Sequence, residues 1–337
     1  MNSLPANNPD WLVKKIIKMG GTISFYDYMN FVLNDPINGY YGSGKAKLGV
    51  RGDFVTSSSL SDDFAFLVGR QIEDWLIQFK SILLSNQKLA VIEFGAGDGS
   101  FMSGLIKYLL GSSKNFLKGV SFIIIEPNKG MVEKQKNKLE DFLNLGIDIL
   151  WKGLEEVEEN NINGIVIANE VLDALPVERI TFSKEKLFRQ AVSIDKKSFT
   201  LFLDEMPITS ELEKSIELAK SELGITIPPK DALEGWTTEW HVDNSEWLKA
   251  LYGKINNGIL LIIDYAKEAE KYYTSRNSDG MMVTYKNQKM IPNVLDSPGN
   301  CDLTSHVCVE TLINDAENLG FNTVGITKQG EALLALG

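Results

Sequence analysis

The sequence predicts an α/β protein with a doubly wound, mostly parallel sheet, an N-terminal helical extension and an inserted α+β lobe. Two observations predict this class. Short apolar strands alternate with amphipathic helices between residues 89 and 176, an order that right-handed crossovers turn into a parallel sheet. The alternation stops after Pro176 and resumes at Gly258, so the intervening chain is expected to form a separate lobe.

The N-terminal region, residues 1–88, is predicted to be helical with one long glycine-rich loop. Apolar residues at helical spacing predict helices at 11–17, 25–33 and 62–84. The loop at 34–61 is longer than an ordinary connection, and loops of this length are usually functional. We therefore expect it to cover a ligand site.

The predicted core comprises residues 89–176 and 243–337. Its expected strands are 90–94, 120–126, 147–151, 164–168 and 258–264, and its expected helices are 100–110 and 131–143.

The predicted lobe comprises residues 177–242. Short alternating segments separated by polar turns predict antiparallel strands at 178–182, 187–194 and 199–203, followed by a helix at 210–223.

Composition and charge limit the partners. The 337 residues suffice for one large domain with an appended or inserted lobe. A net charge of −11 argues against a nucleic-acid partner, because phosphate binding requires clustered Lys and Arg. The same charge favours a basic partner, such as a peptide that bears arginine.

Membrane insertion, disulfides and metal binding are not expected. No apolar run is long enough to cross a bilayer, and the N-terminal stretch lacks the order of a signal peptide. Cys301 and Cys308 suggest no disulfide framework, which predicts a cytoplasmic location. His241 and His306 show no ligand spacing with them, so we interpret both histidines as structural.

An acid and three glycines form the most informative motif. Glu93, Gly95, Gly97 and Gly99 lie between a predicted strand and a predicted helix, where glycines allow a sharp turn and close approach of a ligand. The helix N-terminus suits a carboxylate or a phosphate. The dinucleotide fingerprint would require glycine at position 100, which is Ser100, so a dinucleotide is disfavoured. The alternative interpretation is a turn that binds no ligand.

Acidic residues follow two further strands. Glu126 ends the next strand, where an acid can accept hydrogen bonds from both ribose hydroxyls; alternatively, it is a solvated strand end. Asn169, Glu170 and Asp173 follow the fourth strand and can bind a cation or take a proton. The alternative is that Asn169 or Glu170 merely caps a helical turn.

The long loop also contains candidate cofactor-binding residues. Gly52, Asp53, Thr56 and Ser57 either close over a cofactor or satisfy turns and cap the following helix.

Two later segments are expected at the ligand edge. Asp264 and Tyr265 end the resumed strand, and the polar tract 296–307 is a candidate for another rim of the site.

Taken in order, these segments resemble the MidA-type family of methyltransferases, relatives of the mitochondrial arginine methyltransferase that assists complex I assembly. The resemblance runs nearly end to end. It is carried by Asp35-Pro36, Gly39-Tyr40-Tyr41, Gly52-Asp53-Phe54, Thr56-Ser57, the glycine loop, Asn169-Glu170, Asp173-Ala174-Leu175-Pro176, Ile263-Asp264-Tyr265, Pro298-Gly299, Asp302-Leu303-Thr304 and His306-Val307.

The resemblance implies a class I methyltransferase fold and S-adenosylmethionine (SAM) as methyl donor. Glu93 would orient the amino end of SAM, and the glycine loop would hold its carboxypropyl arm. For mitochondrial members the resemblance implies symmetric dimethylation of an arginine in a complex I subunit. Here we expect Glu170 and Asp173 to clamp the guanidinium and Asn169 to orient it.

The chain departs from the family pattern at several positions. Ser58-Ser59 replaces Pro-Glu, Met281-Met282 replaces Thr-Leu, Gln288 stands where a histidine is usual, and the family generally continues beyond Gly337. These departures leave open the alternative of a non-catalytic assembly or scaffold protein that binds SAM. A dinucleotide-dependent oxidoreductase is a weaker alternative.

Overall fold

A computed structural model describes residues 8–47, 49, 52–53, 61–83, 87–112 and 117–337. The helices are α1 (Asp10–Lys18), α2 (Phe25–Asn34), α3 (Asp62–Ile82), α4 (Ser100–Ser112), α5 (Lys129–Asn144), α6 (Ser210–Leu223), α7 (Asp243–Tyr252), α8 (Ala269–Tyr272), α9 (Val309–Leu319) and α10 (Gln329–Leu336). The strands are β1 (Thr22–Ser24), β2 (Leu89–Phe94), β3 (Val120–Ile125), β4 (Ile149–Lys152), β5 (Ile162–Asn169), β6 (Glu178–Ser183), β7 (Lys186–Ile194), β8 (Leu201–Pro207), β9 (Thr237–Trp240), β10 (Ile255–Ile263), β11 (Ala266–Lys267), β12 (Met282–Lys286), β13 (Lys289–Ile291), β14 (Asp302–Ser305) and β15 (Val307–Cys308).

The central sheet is parallel, with strand order β10-β5-β2-β3-β4. Helices cover both of its faces, with α3, α4 and α5 on one side and α7 and α9 on the other. This arrangement confirms the predicted doubly wound α/β class. The chain runs outward from β2 to β4 and then returns to the other side of β2, so the strand order switches between β2 and β5. Ligands bind at the carboxyl ends of strands at such a switch point.

A second, antiparallel sheet has strand order β1-β7-β6-β9, with β8 also paired to β7. The three-residue strand β1 joins this sheet because Ile23 lies opposite Val192. Thus the N-terminal region and the lobe share one sheet, which the sequence analysis did not predict. A strand of three residues is too short to show the two-residue period.

One predicted strand is misplaced. The sequence placed it at 199–203, whereas β8 begins at Leu201 and continues to Pro207. Phe199 lies in the preceding turn with φ 56°, and its amide donates to the carbonyl of Asp195 at 2.8 Å. The turn therefore holds Phe199 out of the sheet.

A small antiparallel sheet, β13-β12-β14, follows the central sheet along the chain. It places Asp302 beside the short 3₁₀ turn Leu172–Ala174 that follows β5. The domain bounds given above stay a prediction. Within the described ranges, no helix combines the length and the apolar composition needed to cross a bilayer.

Candidate active site

The glycine loop follows β2 at the switch point. Gly95, Gly97 and Gly99 have φ values of 56°, 54° and 86°, which are left-handed conformations that favour glycine. Asp98 accepts a hydrogen bond from the amide of Ser100 at 3.0 Å and thereby starts α4. The amides of the loop and the N-terminus of α4 consequently lie at the carboxyl edge of the sheet.

Glu93 is the last but one residue of β2 and is only 2% exposed. Among the described residues, its Oε2 atom has no hydrogen-bond partner. Burial, reinforced by the nearby carboxylates of Asp98 and Glu126, raises the pKa of Glu93 to about 8. A buried carboxyl without a partner is costly, so this side chain is suited to a cationic ligand group.

Glu126 directly follows β3 and is held in place by two donors. The amide of Asn128 donates to Oε1 at 2.9 Å, and the side-chain amide of Gln135 donates to Oε2 at 2.9 Å. Gln135 is fully buried and also donates to the carbonyl of Gly97 at 3.0 Å. Gln135 therefore links Glu126, the residue predicted to bind the ribose, to the glycine loop. Burial raises the pKa of Glu126, and these hydrogen bonds oppose the rise.

The segment after β5 brings the predicted clamp residues to the same edge. Glu170 has φ 53°, and its amide donates to the carbonyl of Ile263 at 2.8 Å. Asp173 is 6% exposed and lies in the 3₁₀ turn. Asn169 is half-buried, and its Oδ1 atom has no partner among the described residues. The structure thus brings these three predicted residues together beside the glycine loop.

Asp264 caps the turn after β5. Its Oδ2 atom accepts hydrogen bonds from the amides of Val171, Leu172 and Asp173, the shortest at 2.8 Å from Leu172. No side chain of the turn's own N-terminus caps it. The capping alternative for Asn169 and Glu170 is therefore disfavoured, because Asp264 already fulfils that role.

Asp302 completes an acidic cluster, which we define as Glu170, Asp173, Asp264 and Asp302. It is 2% exposed and accepts a hydrogen bond from the hydroxyl of Tyr41 at 2.7 Å. Burial raises the pKa values of Asp302 and Asp264 to about 6. Burial and then the charges of Asp264, Asp302 and Glu170 raise the pKa of Asp173 well above its usual range.

Asp53 anchors the rim of the site. Its side chain accepts hydrogen bonds from the hydroxyl of Tyr40 at 3.0 Å and the amide of Asn287 at 2.9 Å. Its carbonyl accepts from the amide of Gln288 at 2.6 Å. These hydrogen bonds join the long loop to the β12–β13 turn. They favour the interpretation that Asp53 satisfies the backbone groups of turns.

The other predicted residues of that loop divide into two groups. Gly52 is buried, and its amide donates to the carbonyl of Gly49 at 2.7 Å. Thr56 and Ser57 lie outside the described residues. The cofactor role of Gly52, Asp53, Thr56 and Ser57 stays a prediction.

Both histidines lie against backbone carbonyl oxygens, and His306 Nδ1 is 3.4 Å from that of Met281. His241 Nε2 lies 2.8 Å from the carbonyl oxygen of His306, and burial lowers the pKa of His241 to about 4. His241 is therefore neutral, with its Nε2–H as the donor. In the described part of the chain, no group of three or more His, Cys, Asp or Glu residues could hold a metal ion.

Comparison with known proteins identifies the family. The model of a family described as "Putative S-adenosyl-L-methionine-dependent methyltransferase" matches residues 67–327. The chain belongs to this family. It is therefore a SAM-dependent methyltransferase, and the alternatives of an oxidoreductase and a non-catalytic scaffold are set aside. The resemblance to the MidA-type family is confirmed.

A solved structure supports the same conclusion. A protein from Burkholderia thailandensis, described as a "likely methyl transferase" and bound to S-adenosyl-homocysteine (SAH), is 27% identical to this chain. The TM-score is 0.82, and the match covers 99% of this chain and 84% of that chain. The predicted class I fold and the predicted cofactor, SAM, are confirmed.

Two curated relatives match along most of the chain. The "Protein arginine methyltransferase NDUFAF7 homolog, mitochondrial" of Caenorhabditis elegans is 25% identical over 97% of this chain and 75% of its own length. The "Protein arginine methyltransferase NDUFAF7, mitochondrial" of Danio rerio is 26% identical over 88% of this chain and 68% of its own length. Their names overturn the expected cytoplasmic location. That expectation was wrong because a low cysteine content does not identify one particular reducing compartment.

The residues at the switch point fit SAM. Its amino end is an ammonium group, which matches the unpartnered Oε2 atom of buried Glu93. Its ribose matches the oriented carboxylate of Glu126, and its sulfonium charge matches the acidic cluster. Sequence reasoning missed Gln135 and Tyr41 as site residues. The signal for Gln135 in the sequence is its place at helical spacing between the apolar residues Met131 and Leu139, where a polar side chain is unexpected.

Proposed function

We propose that this enzyme transfers methyl groups from SAM to a guanidino nitrogen of an arginine in a partner protein. The observation that carries the proposal is the acidic cluster beside the glycine loop. In this cluster Glu170 directly follows β5 and Asp264 directly follows β10. Asp173 lies in the turn after β5, and Asp302 begins β14. The two curated relatives described above support the choice of arginine, since both are named protein arginine methyltransferases.

Carboxylates suit this substrate because arginine is protonated at every relevant pH, with a pKa above about 12. Glu170 and Asp173 can bind a guanidinium through paired charge-assisted hydrogen bonds, which fix the plane of the group. When bound, SAM supplies an electrophilic methyl group on its sulfonium. The residues of this chain therefore contribute mainly alignment and a matching negative charge.

The proton that leaves the methylated nitrogen needs an acceptor. Asp173 fits this role because its burial and the charges of Asp264 and Asp302 raise its pKa well above the ordinary aspartate range. A carboxylate with a raised pKa takes a proton more readily than one in water. Asp264 holds the Asp173 backbone in position while this happens.

Tyr265 supplies an aromatic wall. Its side chain is 50% exposed, and its ring meets that of His306 edge-to-face at 6.5 Å. The nearby charges of Glu170 and Asp173 contribute to raising its pKa to about 12, after burial. A planar guanidinium stacks well on an aromatic face, so Tyr265 would favour arginine over lysine.

The charge of the chain fits a basic protein partner. With a net charge of −11, the enzyme attracts an arginine-bearing protein and repels nucleic acid. We extend the proposal to a subunit of a complex I-type respiratory enzyme, on the strength of the family resemblance.

Radiolabelled SAM incubated with the purified enzyme and host lysate tests the proposal. We expect transfer of label to a protein, with mass spectrometry locating the methyl groups on arginine. Exclusive labelling of lysine, of a carboxyl group or of nucleic acid would contradict it. The Glu170→Gln variant serves as the control for labelling by other enzymes of the lysate.

A further inference from the structure

A groove of about 600 Å³ lies between α6 of the lobe and helices α7 and α9 of the core, and a hydrogen bond of 3.1 Å from Asn314 of α9 to Glu222 of α6 bridges it. None of its lining residues belongs to the acidic cluster. Its floor is apolar and includes Leu212, Ala219, Trp240 and Tyr273, each less than 10% exposed. The indole of Trp240 is fixed because it donates to the hydroxyl of Ser215 at 3.0 Å.

The walls of the groove are acidic. Of the described residues, Glu178, Glu211, Glu222 and Asp315 line it, against one lysine, Lys214. Burial and then the charge of Glu222 raise the pKa of Asp315 to about 6. Like charges held this close favour binding of a cation between them.

Glu178 is a buried acid at the groove that is already paired with a cation of the chain, Arg189. It is 7% exposed and lines the groove, and its Oε1 atom accepts a hydrogen bond from the guanidinium of Arg189. Its Oε2 atom has no partner among the described residues. The neighbouring Tyr26 cannot supply one, since its hydroxyl already donates to Asp243 at 2.8 Å.

The spacing of the acids indicates an extended ligand. Glu211, Ser215, Leu218 and Glu222 all line the groove, so they occupy one face of α6. Glu211 and Glu222 are three helical turns apart, or about 16 Å. An extended peptide of about five residues covers that length. A metal ion does not fit, because no group of acids in the described ranges could hold one.

We propose that this groove binds an extended cationic segment of a partner peptide. Arginine or lysine side chains lay their aliphatic stems on the apolar floor and direct their charged ends to Glu222 and Asp315. The groove is a second binding surface, separate from the acidic cluster, and its ability to bind does not depend on methyl transfer.

The proposal is tested by measuring hydrogen–deuterium exchange of the enzyme with and without an oligo-arginine peptide. Calorimetry measures the affinity of the peptide. In the parent we expect slower exchange in α6 and α9. The double variant Glu222→Gln with Asp315→Asn should weaken binding at the groove by about tenfold, because it removes two partly exposed charge pairs. The matched control is Glu140→Gln with Asp141→Asn, which removes the same charge from an exposed face of α5. The control should bind as the parent does.

Two further comparisons make the test decisive. Glu170→Gln should leave the protection of α6 and α9 intact, which separates the groove from the acidic cluster. At the same total concentration of positive charge, spermidine should slow exchange in these helices less than the peptide does. The proposal is overturned if protection is absent, survives the double variant, vanishes in Glu170→Gln or is matched by spermidine. None of these outcomes depends on whether arginine is methylated.

Discussion

The hydroxyl of Tyr41 donates to Oδ1 of Asp302 at 2.7 Å, although the two residues lie 261 positions apart. Tyr41 belongs to the N-terminal region, whereas Asp302 begins β14 and forms part of the acidic cluster. The hydrogen bond lowers the pKa of Asp302, while burial raises it to about 6. The N-terminal region therefore helps to keep Asp302 ionised near neutral pH.

Replacing Tyr41 by phenylalanine removes this donor and should raise the pKa of Asp302. Because ionised carboxylates hold the guanidinium, we expect the acidic limb of the pH–turnover profile to move to higher pH. SAH affinity measured by calorimetry should not change. Tyr28→Phe is the matched control, since its hydroxyl donates to the carbonyl of Val294 instead. Identical pH profiles for the two variants would show that Tyr41 does not act through Asp302.

Replacing Gly97 by alanine should weaken SAH binding at least tenfold. The residue has φ 54° in the loop that follows β2, and a side chain there would project where the backbone approaches the ligand. Gly119→Ala is the matched control, because Gly119 has φ 82° and open space around it. Both variants should lose similar thermal stability, but only Gly97→Ala should lose affinity. Equal affinities would exclude contact between this loop and the ligand.

Replacing Glu126 by alanine should weaken SAH binding while the fold is retained. Loss of charge-assisted hydrogen bonds to the ribose costs about 1.5–3 kcal/mol, which is roughly a ten- to a hundredfold change in dissociation constant. Glu140→Ala, on the exposed face of α5, controls for charge. An unchanged constant for Glu126→Ala would place the ribose elsewhere.

Glu93 should make SAH binding release protons. Its raised pKa of about 8 keeps it protonated at neutral pH in the unliganded protein. The ligand's ammonium group favours the carboxylate, so binding below pH 8 should expel a proton. Calorimetry at pH 7 in buffers of different ionisation enthalpy measures this release. We expect Glu93→Gln to abolish it, and equal release by parent and variant would assign the proton to another group.

The same raised pKa makes a prediction about stability. A carboxyl with a raised pKa in the folded state binds its proton more tightly when folded. The stability it contributes is therefore present below its ordinary pKa of 4.5 and is lost as pH rises towards about 8. The free energy of unfolding of the unliganded protein should fall across this window, and Glu93→Gln should reduce the fall.

Much of the site was predictable because its signals are local. The strand, the acid Glu93 and the three glycines are contiguous. Glu126 and Asp264 each directly follow a strand of the same parallel sheet, and Asn169 ends one. Parallel strands place their carboxyl ends at one edge, so strand order alone brings these residues together.

The remaining contacts were not predictable, because they join residues with no shared period. Tyr41 meets Asp302, and Asp53 meets Asn287, 234 positions away, only once the small β12–β14 sheet has formed. The contact of β1 with β7 likewise depends on tertiary packing. Long-range hydrogen bonds of this kind leave no pattern in a window of ten to twenty residues.

The clamp is tested most directly by Glu170→Gln, which retains the shape of the side chain but removes its charge. Glu170 lies at the carboxyl edge with φ 53°, and its backbone amide is bonded to Ile263, so the substitution should leave the chain path unchanged. Because the carboxylate would stabilise positive charge on the substrate as the methyl group moves, its loss should slow turnover by about a hundredfold. SAH binding and thermal stability should stay near the values of the parent. Asp173→Asn should slow turnover as well, but it should also stabilise the unliganded protein at pH 8, since it removes one of several buried like charges.

If Glu170→Gln retains full turnover on the labelled protein, the clamp assignment is wrong while the methyltransferase assignment stands. If it instead loses stability with little loss of turnover, the residue serves the fold of the turn rather than the chemistry.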